Sequence, residues 1–225
     1  MTKFSELYKR IDSVRGRIED AAKSAGRNPE DITLVGVAKG HNVETVKAAV
    51  EYGLNNIGEN YLNEFGVKAL TIKADWHFQG AVQRRKIKDI LRLTRSILSV
   101  ARLEEFEEIN KRMDMIKGLQ EETAKCFICV NLGQEESKTG ALPDDVAGIV
   151  AAARDMTRLE VRGLMAIPPH SYRAEDSRAW FRKLKELAET NDLHELSMGM
   201  TNDFEIAIEE GATMVRVGTA IFGAR

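Results

Sequence analysis

Lys39 closes an apolar run, Leu34-Val35-Gly36-Val37-Ala38-Lys39-Gly40, that reads as a buried β-strand. A lysine at such a strand end gives up hydration, and burial then favours its free amine. A free amine on a rigid strand end is what Schiff-base formation with an aldehyde requires. The plainer alternative is a side chain that snorkels past the strand into water. A second group of reactive types lies near the C-terminus. Ser197-Met198-Gly199-Met200-Thr201-Asn202 leads into a helical pattern at Asp203, and Arg216-Val217-Gly218-Thr219-Ala220 leads into another. The hydroxyls of Ser197, Thr201 and Thr219, with bare backbone at Gly199 and Gly218, suit an anion such as a phosphate group. Helix capping by Thr201 or Asn202 alone is the competing explanation.

These residues need a scaffold that brings sequence-distant strand ends together. The first segment, 4–25, has apolar residues at Phe4, Leu7, Ile11, Val14, Ile18 and Ala22, one helical face, closed by Gly26. After it, strand-like runs alternate with amphipathic helical segments. Strands are predicted over 33–38, 55–57, 75–78, 97–100, 125–130, 160–165, 195–198 and 213–217. Helices are predicted over 43–52, 61–70, 83–93, 103–119, 143–154, 177–189 and 203–209, with a short one after Thr219. Eight such units predict a single (β/α)8 barrel of the TIM type spanning 1–225, with an extra N-terminal helix on its bottom or side. An open doubly wound sheet fits less well, because Lys39-Gly40-His41-Asn42 stands where a glycine-rich dinucleotide turn would be.

In such barrels function gathers at the carboxyl ends of the strands. Lys39 ends the first, Asn60 follows the second within Gly58-Glu59-Asn60, and His77 lies at the end of the third. Ser99 ends the fourth, Asn131 the fifth, and Met165 the sixth, followed by Pro168-Pro169-His170. Ser197 ends the seventh and Arg216 lies in the eighth. Loops after the last two strands form the recurrent phosphate site of this fold. An amine facing a phosphate grip describes a ligand bearing an aldehyde and a phosphate, and pyridoxal 5′-phosphate fits. Its ring nitrogen needs a partner. Arg216 is the candidate, and since it keeps its proton it can only donate to an unprotonated pyridine. A structural ion pair of Arg216 with Glu59 is the alternative.

Composition narrows the classes. The 225 residues carry a formal net charge of −2, which gives no electrostatic case for nucleic acid or an anionic membrane. No run approaches the roughly 18 apolar residues of a spanning helix, and the first residues lack a signal-peptide core. A cytoplasmic protein is expected. Cys126 and Cys129 fall three apart on a predicted strand, hence on opposite faces, and are expected to be buried structural thiols. His41, His77, His170 and His194 show no metal-ligand spacing. His77 has a core reading beside its cofactor reading, and Tyr61 could cover a ligand or simply start its helix. Arg84, Arg85, Lys86 and Lys88 read as a solvated face or a docking patch.

The motifs together resemble the pyridoxal-phosphate homeostasis protein family, which is similar to the N-terminal barrel of alanine racemase. The resemblance is carried by Val37-Ala38-Lys39, Ile57-Gly58-Glu59-Asn60-Tyr61, Trp76-His77-Phe78-Gln79-Gly80 and Asn131 through Glu135-Glu136-Ser137-Lys138. It continues through Gly163-Leu164-Met165, Ser197-Met198-Gly199-Met200 and the closing block from Arg216 to Gly223. It implies a cofactor held as a Schiff base on Lys39, ring-nitrogen contact by Arg216, and phosphate binding by Ser197, Thr201, Gly218 and Thr219. Asn60, His77, Ser99 and Met165 are the further expected contacts. The chain departs from the family's usual pattern at His41, Ala81, Arg84, Arg85 and Ala101.

The expected role is a store, buffer or carrier in vitamin B6 homeostasis, with no catalytic residue assigned and apo-enzymes as possible recipients. Because the chain ends at Arg225, directly after the eighth unit, a monomer lacking the racemases' second domain is expected. An arginine at the ring nitrogen also weakens the cofactor as an electron sink. A slow racemase or decarboxylase using Lys39 as base is the alternative. A sugar-phosphate enzyme with a Schiff base to substrate is the third.

Overall fold

The computed structural model describes residues 3–135, 138–169, 171 and 173–224. Glu136, Ser137 and His170, named above among the motifs, lie outside the described residues. Eight parallel strands follow one another around a closed barrel. They are β1 (Thr33–Val37), β2 (Asn56–Glu59), β3 (Asp75–Phe78), β4 (Ser96–Val100), β5 (Ala124–Val130), β6 (Leu159–Ala166), β7 (Glu195–Ser197) and β8 (Met214–Val217). Closure comes from β1 against β8, with Thr33 opposite Met214 and Gly36 opposite Val217. Closure leaves no sheet edge exposed.

Side chains alternate between two separate apolar cores, as the period of a strand demands. Val35, Leu98, Phe127, Met165 and Met214 fill the barrel interior. The larger core lies outside the sheet, under α2 (Val43–Glu51), α3 (Leu62–Thr71), α4 (Ile87–Leu93), α5 (Leu103–Met115), α6 (Val146–Ala153), α7 (Arg178–Thr190), α8 (Phe204–Glu209) and α9 (Thr219–Phe222). On β5, Phe127 points inward while Cys126 and Ile128 join the outer core. Cys129 packs against the interior cluster, so the two cysteines face opposite sides, as their spacing predicts.

The extra helix, α1 (Ser5–Ser24), buries Leu7, Ile11, Val14, Ile18 and Ala22 against α8, α9 and α2. It therefore covers the side of the barrel. Its C-terminus closes as a Schellman motif, with the Arg27 amide donating to Ala22 and the Gly26 amide to Lys23. Predicted and observed elements differ mainly at their ends. The helix predicted over 83–93 opens with a 3-10 turn, Arg84–Lys86, and that over 143–154 with Pro143–Asp145. The helix predicted to reach 119 stops at Met115, since Ile116 is extended. Leu119 is nonetheless buried, which is why the apolar period runs on past the helix. β2 extends to Glu59, placing a fully buried carboxylate where a loop was expected.

Candidate functional site

A cavity of about 790 Å³ opens at the carboxyl ends of the strands. It brings together Lys39, Asn60, Met165, Thr201, Arg216, Gly218 and Thr219 from positions up to 180 residues apart. Lys39 sits two residues past the end of β1, in a turn, and is half-buried. The strand expected to run to Ala38 stops one residue earlier, and the strand-end lysine is presented at the cavity wall and not withdrawn into the core. The turn runs from Ala38, whose carbonyl accepts from the His41 amide at 3.1 Å. Lys39 and Gly40 are its corners, and Gly40 has φ +76°, the third-position conformation of a type II turn. On the far side of the turn the His41 ring lies 5.1 Å from that of Phe222.

Arg216 is 4% exposed. One of its terminal nitrogens donates to the Ser197 carbonyl at 2.6 Å and to Ser197 Oγ at 2.8 Å, and the other donates to the Ala166 carbonyl at 3.1 Å. A guanidinium has five N–H donors, so two have no partner among the described residues and are available to the cavity that Arg216 lines. Burial pulls its pKa down to about 10, which still leaves a cation at neutral pH. The alternative pairing with Glu59 is not formed. Glu59 accepts from the Asn60 and Tyr61 amides and from Lys68.

Ser197 changes role. It is fully buried beneath the cavity, and its hydroxyl and carbonyl both hold Arg216, so it orients the guanidinium instead of lining an anion site. The two glycines of the C-terminal loops also separate. Gly199 has φ +89°, and an added Cβ would lie 2.5 Å from that of Ala207, so local packing alone demands a glycine. Among the described residues, a Cβ at Gly218 would meet nothing closer than Val37 at 3.5 Å. Packing does not require that bare backbone, and it lies on the cavity wall beside Thr219. Thr201 does not cap its own helix. Its hydroxyl accepts from the Ala220 amide at 3.4 Å, joining the two loops, while Asp203 occupies the cap position of α8.

His77 lies elsewhere. Its Nδ1 is 2.7 Å from Ser96 Oγ and its Nε2 3.0 Å from Asn56 Oδ1, residues that begin β4 and β2. Both ring nitrogens are thus taken up toward the barrel bottom, and the core reading of His77 replaces the cofactor reading. Burial depresses its pKa to about 4. Ser99 lines a smaller neighbouring cavity of about 310 Å³ and donates to the Gly80 carbonyl at 2.6 Å. That cavity shares Gln79, Met165 and Ile167 with the first. Tyr61 stands at the start of α3, half exposed, in a groove between α3 and α4, so the helix-start reading fits its place.

Sequence reasoning missed Gln79 and Arg173, which also line the main cavity. Gln79 follows β3 directly, and its side-chain amide donates to Asn60 Oδ1 at 3.1 Å while its Oε1 is buried without a partner among the described residues. A polar residue ending a strand-like run was the available signal. Arg173 lies in an irregular segment with no periodicity to mark it.

The chain matches the model of the alanine racemase N-terminal domain over residues 11–225. A pyridoxal phosphate homeostasis protein of Pseudomonas aeruginosa is 38% identical, over 98% of this chain and 96% of that one. Its counterpart in Aquifex aeolicus is 37% identical, over 96% and 97%. Among solved structures, PipY of Synechococcus elongatus PCC7942 with pyridoxal phosphate bound superposes with a TM-score of 0.81 at 27% identity, covering 96% of this chain and 100% of that one.

Proposed function

The chain belongs to the alanine racemase N-terminal domain family, within the pyridoxal phosphate homeostasis proteins, and from that premise we propose that it binds pyridoxal 5′-phosphate as a Schiff base on Lys39. The carrying observation is the convergence on one cavity of an amine, a buried guanidinium with donors to spare, and a wall of Thr201, Gly218 and Thr219. The donor set fits the group. Thr201, Thr219 and the open backbone at Gly218 would hold the phosphate, Arg216 would donate to the ring nitrogen, and Met165 would pack beside the ring. When bound, the cofactor supplies an electrophilic carbon and an electron-withdrawing ring. Arg216 has only donors to offer, which would keep the ring nitrogen unprotonated and weaken that electron withdrawal.

That balance favours storage and delivery over amino-acid chemistry. We read the protein as a cytoplasmic, monomeric buffer or carrier of vitamin B6 whose recipients are apo-enzymes that need the cofactor. Among the described residues no helix is long and apolar enough to cross a membrane. The deciding experiment is the visible spectrum of the purified protein after incubation with pyridoxal phosphate, beside Lys39→Ala. A yellow band in the wild type alone supports the reading, and no band in the wild type overturns it. Delivery is tested by mixing loaded protein with an apo-enzyme. Activity recovering no faster than cofactor dissociates into buffer would rule out direct transfer.

A further inference from the structure

Glu64 and Lys68 stand four residues apart in α3, a spacing that commonly makes an exposed surface pair. In the structure Lys68 is 3% exposed. Its ammonium donates to Glu59 Oε2 at 2.7 Å, to Glu64 Oε2 at 2.8 Å and to the Ala38 carbonyl at 2.8 Å. Three hydrogens meet three acceptors, which is the full capacity of the group. Glu64 Oε2 also accepts from the Gly40 amide at 2.8 Å. The backbone groups on either side of Lys39 are therefore held by one ammonium and one of its carboxylates. The third member reaches the neighbouring loop, where Glu59 Oε1 accepts from the amides of Asn60 and Tyr61.

We propose that Lys68, with Glu59 and Glu64, is the positioning device that fixes the Lys39 turn against the Asn60 loop and so presents the Lys39 amine to the cavity. The inference rests on the reading of Lys39 as the attachment residue. Stability alone gives little reason for such a cluster. A carboxylate and an ammonium taken out of water, with a second carboxylate partly so, lose hydration that their mutual attraction only partly returns, and apolar side chains of similar volume often serve a core as well. A polar cluster does supply directed contacts, and here they end on the carbonyl of residue 38 and the amide of residue 40. A type II turn held at the peptide groups on both sides of Lys39 leaves that residue few backbone arrangements. The ordering that Schiff-base formation would otherwise impose is then already in place.

The test uses the full chain. Glu64→Ala removes the Gly40 contact from a side chain that is 30% exposed and leaves the Glu59–Lys68 pair intact. Glu64→Gln keeps an acceptor there. The double variant Glu59→Gln with Lys68→Met removes the buried charges together, so neither is left unpaired. We expect cooperative unfolding in all three. In the cofactor-free protein, Gly40 amide exchange should rise at least tenfold in Glu64→Ala and stay near wild type in Glu64→Gln. Affinity for pyridoxal phosphate should fall at least tenfold, about 1.4 kcal/mol, in Glu64→Ala and in the double variant. Borohydride trapping should then label lysines other than Lys39. Wild-type affinity and Lys39-only trapping, despite faster Gly40 exchange, would sink the positioning role and leave the cluster as an anchor for α3. Unchanged exchange in Glu64→Ala would sink the contact itself. A wild-type protein that takes up no cofactor defeats the attachment reading, and the exchange measurement still reports on the turn.

Discussion

Two side chains near the barrel axis with opposite polarity demands set the behaviour of this protein at residue scale. Arg216 is charged and buried because three acceptors, all from the ends of β6 and β7, receive its hydrogens. A lysine has no planar fork to reach the Ser197 and Ala166 carbonyls together. Arg216→Lys should therefore lose about 1–3 kcal/mol of stability through buried acceptors left unpaired, read by denaturant unfolding. Equal stability would mean that the carbonyls find other donors. His77 is the reverse case, a base kept neutral. Its pKa is depressed to about 4, below the unfolded value near 6.5, so the unfolded chain binds the extra proton first. Stability is intact above about pH 6.5 and drains away as pH falls toward 4, by about 3 kcal/mol in all. His77→Gln should flatten that part of the pH–stability curve while leaving cofactor uptake unchanged. An equally steep curve would place the acid sensitivity elsewhere.

The thiols belong to the same scale. Burial pushes Cys126 up to about 12 and Cys129 up to about 11, so neither offers thiolate at neutral pH. Both should react with a disulfide reagent at pH 7.5 at least tenfold more slowly than free cysteine. Rapid labelling of Cys129 would mean that the smaller cavity opens widely.

At the scale of elements, the two C-terminal loops contain glycines that look equivalent in sequence and are not. Gly199→Ala forces a left-handed residue and a 2.5 Å contact, so it should cost at least about 1 kcal/mol of stability. Gly218→Ala meets only an ordinary contact with Val37, so stability should hold while affinity for the cofactor's phosphate falls. The opposite assignment of losses, measured by unfolding and by cofactor titration, would place the anion at Gly199. The distinction shows what sequence could carry. Alternating runs and helix stops located every strand and helix within a few residues, because periodicity is written locally. Lys39, Arg216, Thr201 and Gly218 share one cavity, as the fold rule expects of strand ends and the loops that follow them. The surroundings of Ser197, His77 and Lys68 are not legible in the same way, and for Lys68 the sequence offers no reading at all. Each is decided by which neighbour takes its hydrogen bonds, across 19 residues for Ser197 and Arg216 and 30 for Lys68 and Ala38. No local pattern encodes that partner.

On the scale of the whole molecule, closure of β8 onto β1 makes the Lys39 strand and the Arg216 strand direct neighbours, with Val35 opposite Arg216. The cavity is thus built across the seam that joins the two ends of the barrel. A ligand held by β1 and β8 together binds only while that seam is closed, so binding should stabilise the entire fold and not one loop. At a free cofactor concentration a hundredfold above its dissociation constant, linkage gives about 2.7 kcal/mol. For a domain of this size that corresponds to a rise in Tm of roughly 5–10 °C. The rise should appear as a shift of one cooperative transition and be absent in Lys39→Ala at the same cofactor concentration. A second transition that does not move with cofactor would mean that the seam opens independently of the remaining strands, and that the site and the barrel are not one cooperative unit.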